Sequence, residues 1–104
     1  MFCKDVREKV PKLVESETAH AYTEHGKINS PHEGYAVLKE EKEELDIDIL
    51  DLKYALESFW LTIKRDQTEE LIYPLRRMKA KAESAAMEAI QVAAVAQRVL
   101  DILE

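Results

Sequence analysis

Two short stretches hold the side chains whose types and spacing suit chemistry: the acidic run Glu40-Glu-Lys-Glu-Glu44 and the pair Glu88 and Gln91. On a helix, residues three and four apart share a face, so Glu40, Glu41 and Glu44 present their carboxylates as one cluster. Glu41 is in register with Leu38, Leu45, Leu52 and Phe59, positions that helical periodicity assigns to a core. An ionised carboxylate placed there without a partner costs several kcal/mol or takes up a proton, and a cation resolves the conflict.

The downstream pair sits in an apolar setting, since ten of the twelve residues from Ala85 to Ala96 are apolar and only Glu88 and Gln91 interrupt them. Those two lie three apart and share a face. Two apolar-flanked helices carrying carboxylate and amide oxygens at this spacing can bring hard ligands to one point, a set that suits Mg²⁺ or Mn²⁺. The plainer alternatives are a solvated acidic face for 40–44 and an exposed polar stripe for Glu88 and Gln91.

Other candidate chemistry is thinner. Asp48 lies four residues after Glu44 and can join the carboxylate face, whereas Asp46 and Asp51 read as helix-surface charges without the glycine turn and closing Glu of a calcium loop. His20, His25 and His32 lack the spacing of a zinc site, and Cys3 has no second cysteine to join it. His32 falls in the first turn of the acidic helix, where it serves capping or loop packing, or a substrate contact. Gly26 and Gly34 stand alone and form no phosphate-cradling loop, and no Ser/His/Asp nucleophile pattern is present.

The elements that must position these groups are helices. Of two glycines and three prolines, only Pro74 lies beyond Gly34, so the last seventy residues read as helical. A first helix carries Val6, Val10, Leu13, Val14 and Ala21 on one side, is opened or kinked by Pro11, and stops near His25 and Gly26. A loop then closes on a helix start, with Ser30 as N-cap, Pro31 at the first helical position and Glu33 completing a capping box. From Pro31 to about Arg65 a heptad-like seam runs through Leu38, Leu45, Ile49, Leu52, Leu56, Phe59 and Ile63, as one long helix or as two meeting near 46–51. A turn is expected at 66–70, with Asp66 or Thr68 as the next cap. The final helix has a seam of Leu75, Met78, Ala82, Ala85, Ala89, Val92, Ala96, Val99 and Leu103. A second stripe of Arg77, Lys81, Ser84, Glu88, Gln91, Val95 and Arg98 lies opposite.

Composition narrows the class. At 104 residues the chain reads as one domain, 1–104, and is short on burial for its size, which oligomerisation would supply. A net charge of −6 and few aromatic residues argue against a nucleic-acid polymer as the main partner. Nearly half the residues are apolar and recur periodically, which argues against disorder. The amino terminus bears Lys4, Asp5, Arg7 and Glu8 with no apolar run behind them, and no stretch is long and apolar enough to span a membrane. With no possible internal disulfide, a cytoplasmic setting is expected.

Glu40-Glu-Lys-Glu-Glu44 matches the Glu-Glu-x-x-Glu signature of the MazG-like, all-α nucleoside triphosphate pyrophosphohydrolases. Glu88-Ala-Ile-Gln91 resembles their second signature, Glu-x-x-Asp, with Gln91 where that motif has Asp. The likeness covers roughly Gly26 to Leu103 and is to small, phage-type members. It implies an all-α bundle of three to five helices, a homodimer or homotetramer, and Mg²⁺-dependent hydrolysis of a nucleoside triphosphate to the monophosphate and pyrophosphate. Carried over residue by residue, it makes Glu41, Glu44 and Glu88 metal ligands, Gln91 a neutral ligand, and Glu40 a ligand or the group that orients the attacking water. Lys81, Arg98 and His32 are the candidate substrate contacts. The forty-three residues between Glu44 and Glu88 exceed the family's usual gap and imply an additional helix between the motifs.

Overall fold

Helix ends in this chain are written by a few residues. A computed structural model describes all 104 residues, Met1–Glu104. Helix α1 spans Lys4–His25 with Pro11 inside it, so of the two roles expected of Pro11 the structure rules out opening the helix. Gly26 stops it at φ 71°, in the left-handed region that glycine enters without a Cβ penalty, and its N–H donates to the Tyr22 carbonyl.

Helix α2 spans Pro31–Lys64 as one unbroken element of 34 residues, which settles the choice between one helix and two. Ser30 caps it as expected, its Oγ accepting from the Glu33 N–H at 3.1 Å. The Glu33 carboxylate reaches one residue further back than a capping box requires: Oε2 accepts from the backbone N–H and the Nδ2 of Asn29, each at 3.2 Å.

The turn expected at 66–70 is present, built differently from a side-chain cap. Asp66 takes φ 55°, a region that Asp tolerates better than most residues. A 3₁₀ turn, Thr68–Glu70, follows with no side-chain cap, and helix α3 spans Ile72–Leu103. There are no strands. No independent α-helix separates the two acidic motifs: the long gap between them is taken up by the carboxyl-terminal half of α2 and the amino-terminal half of α3.

The chain forms two compact units, one of Met1–Lys42 with Glu88–Glu104 and one of Glu43–Met87. In the first, Ile28 from the α1–α2 loop, Ala94 and Val95 are the buried apolar residues, joined by Thr18 and Arg98. Thr18 satisfies its hydroxyl on the Val14 carbonyl at 2.7 Å. Arg98 donates from one terminal nitrogen to the Gly26 carbonyl at 2.8 Å and lies over the Tyr22 ring, while its Nε has no hydrogen-bond partner. Tyr22 donates to Asp101, and that bond raises the phenol's pKa above its ordinary value. The same bond from Tyr22, then one from Gln97, holds the Asp101 carboxyl below its ordinary value. In the second unit Ala55, Asp48 and Pro74 are buried.

The apolar stripe of α1 is only partly covered, with Val6, Val10 and Leu13 exposed and Val14 and Ala21 half-buried. On α3 the stripe described as lying opposite the seam is the better-buried one: Val95 and Arg98 are buried and Lys81, Ser84, Glu88 and Gln91 are half-buried, while Leu75 and Leu103 of the seam are exposed. Polar side chains face inward here because they find partners there, as the bonds of Ser84, Gln91 and Arg98 show.

One close approach lends itself to a direct test. A Cβ added at Gly34 would lie 2.6 Å from Val99 Cγ2, and a β-branched valine has little rotamer freedom with which to retreat. Alanine in a helix interior gains about 1 kcal/mol over glycine, but overpacking costs about 1–3 kcal/mol. Gly34→Ala is therefore expected to lower the urea unfolding midpoint. In a Val99→Ala background, where the obstructing methyl groups are gone, the same change is expected to raise it.

Candidate metal centre

Glu41 and Glu88 both belong to the first unit, and each is half-buried. Glu41 holds its place because α2 stays regular from Pro31 onward, putting it on the same face as Leu38 and Leu45, which are also half-buried. Glu44, one turn further along the same helix, is exposed. One carboxylate oxygen from each of Glu41, Glu44 and Glu88 lies within 4.8 Å of the others.

That spacing can be compared with what an ion requires. Oxygens around an octahedral Mg²⁺ at 2.0–2.1 Å stand about 3.0 Å apart when adjacent and about 4.2 Å apart when opposite. Any three ligands of one octahedron include at least two adjacent pairs, so the carboxylates would draw together by up to about 1.8 Å on binding, within the reach of glutamate side-chain rotation. Three oxygen donors of like charge form a hard set of the kind that suits Mg²⁺ or Mn²⁺. Gathering like charges is unfavourable by itself, and a divalent cation reverses the sign of the interaction.

The remaining sequence candidates occupy varied positions. Glu40 is exposed and outside the group of three. Gln91, one turn beyond Glu88, donates from Nε2 to Glu17 Oε2 at 2.8 Å. Asp48 is buried and accepts from Ser84 Oγ at 2.7 Å. Lys81 lies 3.2 Å from Asp51 Oδ2, and Arg77 approaches Oδ1 of the same carboxylate at 3.6 Å. Asp51 is thus the anchor of two cations, more than the helix-surface charge it reads as in sequence. Arg98 is committed to the Gly26 carbonyl, and His32 is exposed in the first turn of α2.

Glu17 is the residue that sequence reasoning passed over. Its signal was of the same kind that singled out Glu41: it follows Leu13 and Val14 by four and three residues and precedes Ala21 by four, so it interrupts the apolar stripe of α1. Comparison with known proteins adds no relative, since no family model, curated protein or solved structure matches the chain.

If the three glutamates hold a cation, binding stabilises the folded state by RT ln(1 + [L]/Kd), about 2.7 kcal/mol at a hundredfold excess over Kd. Mn²⁺ or Mg²⁺ is expected to raise the melting temperature by several degrees in a thermal-shift titration. Glu41→Gln should abolish that increment while leaving the metal-free melting temperature unchanged or higher. An equal metal-induced rise in the variant would exclude Glu41 as a ligand.

Proposed function

We propose that this chain is a Mg²⁺-dependent nucleoside triphosphate pyrophosphohydrolase, releasing pyrophosphate and a nucleoside monophosphate in nucleotide-pool house-cleaning. The observation that carries the reading is the convergence of oxygens from α2 and α3, forty-seven positions apart at Glu41 and Glu88, to within 4.8 Å of one another. The Glu-Glu-x-x-Glu spacing at 40–44 supports it, because that spacing presents several carboxylates to one side of a helix.

Glu41, Glu44 and Glu88 hold the cation, with Mn²⁺ as the alternative to Mg²⁺. When bound, it neutralises phosphate charge, aligns the triphosphate and lowers the pKa of bound water. Glu40, exposed beside the three, orients the attacking water and accepts its proton. His32 is accessible for a phosphate contact. Lys81, held at Asp51, and Arg98, held at the Gly26 carbonyl, are the cations that the resemblance assigns to phosphate.

A second copy completes the protein. The chain leaves 7871 Å² of surface accessible, against about 6,000 Å² for an ordinary folded monomer of 12.0 kDa. An interface with a second copy would take part of that excess out of water. Apolar side chains are available to fill it, among them Leu50, Tyr54, Trp60 and Leu61 on α2 and Val6, Val10 and Leu13 on α1, all exposed. A homodimer or homotetramer is the form in which these residues leave water.

A non-catalytic reading has one observation in its favour: Gln91 is neutral and already engaged by Glu17. A module of that kind binds nucleotide without consuming it.

Pyrophosphate release across a panel of nucleotides with Mg²⁺ or Mn²⁺ separates the two. Turnover of at least one triphosphate is expected, with Glu41→Gln reducing activity by about a hundredfold or more, because a ligand of the cation is lost. No turnover with any nucleotide overturns the enzyme reading, and nucleotide-induced stabilisation without turnover then favours the binding module. Light scattering at micromolar concentration is expected to give two or four times 12.0 kDa, and a monomer mass there would overturn the assembly.

A further inference from the structure

Gln91 is held by a residue outside both acidic motifs. Its Nε2 donates to Glu17 Oε2 at 2.8 Å, from α3 to α1 across seventy-four residues and within the first unit. Both side chains are half-buried, so the bond is shielded from competing water more than a surface pair would be.

A primary amide has one donor end and one acceptor end, and a carboxylate accepts only from the donor end. Glu17 therefore selects one of two flips of the Gln91 amide. With Nε2 committed to Glu17, Oε1 is the end turned away from it and the one able to offer an electron pair. Gln91 and Glu88 stand one turn apart on the same face of α3.

We infer that Glu17 is a positioning residue for the carboxylate centre, fixing the Gln91 amide so that Oε1 serves as a neutral oxygen ligand beside Glu88. The inference rests on the metal-centre reading above. Without the Glu17 acceptor the amide samples both orientations, and in one of them an N–H group faces the cation. The accepted bond also polarises the amide and makes Oε1 a better donor, as hydrogen bonds to ligating side chains do in metal sites generally. A neutral amide ligand fixed in this way contributes coordination without adding another like charge to three carboxylates already gathered.

Mn²⁺ binding to the full chain, measured by titration calorimetry and by the electron paramagnetic resonance of bound Mn²⁺, tests this. Glu17→Ala is expected to weaken Mn²⁺ binding about tenfold. Glu17→Gln, whose own carbonyl accepts the same bond, should stay within about twofold of the parent. Glu17→Ala/Gln91→Glu should recover the loss, because a carboxylate of equal length offers oxygen from either end.

Parent-like binding by Glu17→Ala overturns the positioning role and leaves the metal centre standing. A loss in Glu17→Gln as large as in Glu17→Ala overturns it as well, since charge and not orientation would then be responsible. Failure of Gln91→Glu to restore binding does the same. If the parent chain binds no Mn²⁺ at millimolar concentration, the metal centre itself is overturned and this role with it. Metal-free melting of each variant is recorded alongside, and the rescue reads orientation even where Glu17→Ala lowers stability.

Discussion

A polar group drawn out of water has to find a proton, a donor or a cation inside the fold, and this requirement decides which face of α3 points inward. Ser84 donates to buried Asp48, Gln91 donates to Glu17, and Arg98 donates to the Gly26 carbonyl. Each pairing fixes one turn of α3 against another segment of its own unit. With polar residues taking the interior, several large apolar residues of the same helix stay outside, Leu75, Met87, Leu100 and Leu103 among them. Only four hydrophobic residues are fully buried, so a packed apolar core does not by itself explain why these helices hold together.

The acidic centre follows from the same constraint. Glu41 occupies a core-facing register on α2, and Glu88 sits on the inward stripe of α3. Neither helix would by itself assemble three carboxylates of this kind from two segments so distant in sequence. Regularity of α2 over its 34 residues is what carries the Glu41 and Glu44 pair at fixed phase, and no glycine or proline after Gly34 disturbs it. The Gly34 contact with Val99 then fixes how closely the beginning of α2 approaches the end of α3 within the first unit.

Much of the local structure was legible in the residues. Gly26 ending α1, Ser30 capping α2 and the turn near 66–70 are all short-range events, determined by backbone sterics and by side chains within a few positions. The grouping of Glu41 and Glu44 with Glu88 was legible too, because carboxylates interrupting an apolar helical face announce themselves against the pattern. Glu17 gave the same kind of signal more faintly, with one carboxylate in place of a cluster.

The sequence alone determined that the chain is helical, where α1 stops and α2 starts, and which carboxylates interrupt their apolar stripes, since these depend on periodicity and local sterics. It left open which stripe of each helix would turn inward, because an amphipathic pattern with polar residues on one side and alanines on the other admits either choice. Tertiary structure decided that through pairings between residues far apart in the chain, of which Gln91 with Glu17 is the clearest. Such a partner is chosen by proximity in three dimensions, and a hydrogen bond across seventy-four residues leaves no mark in the local spacing of either helix.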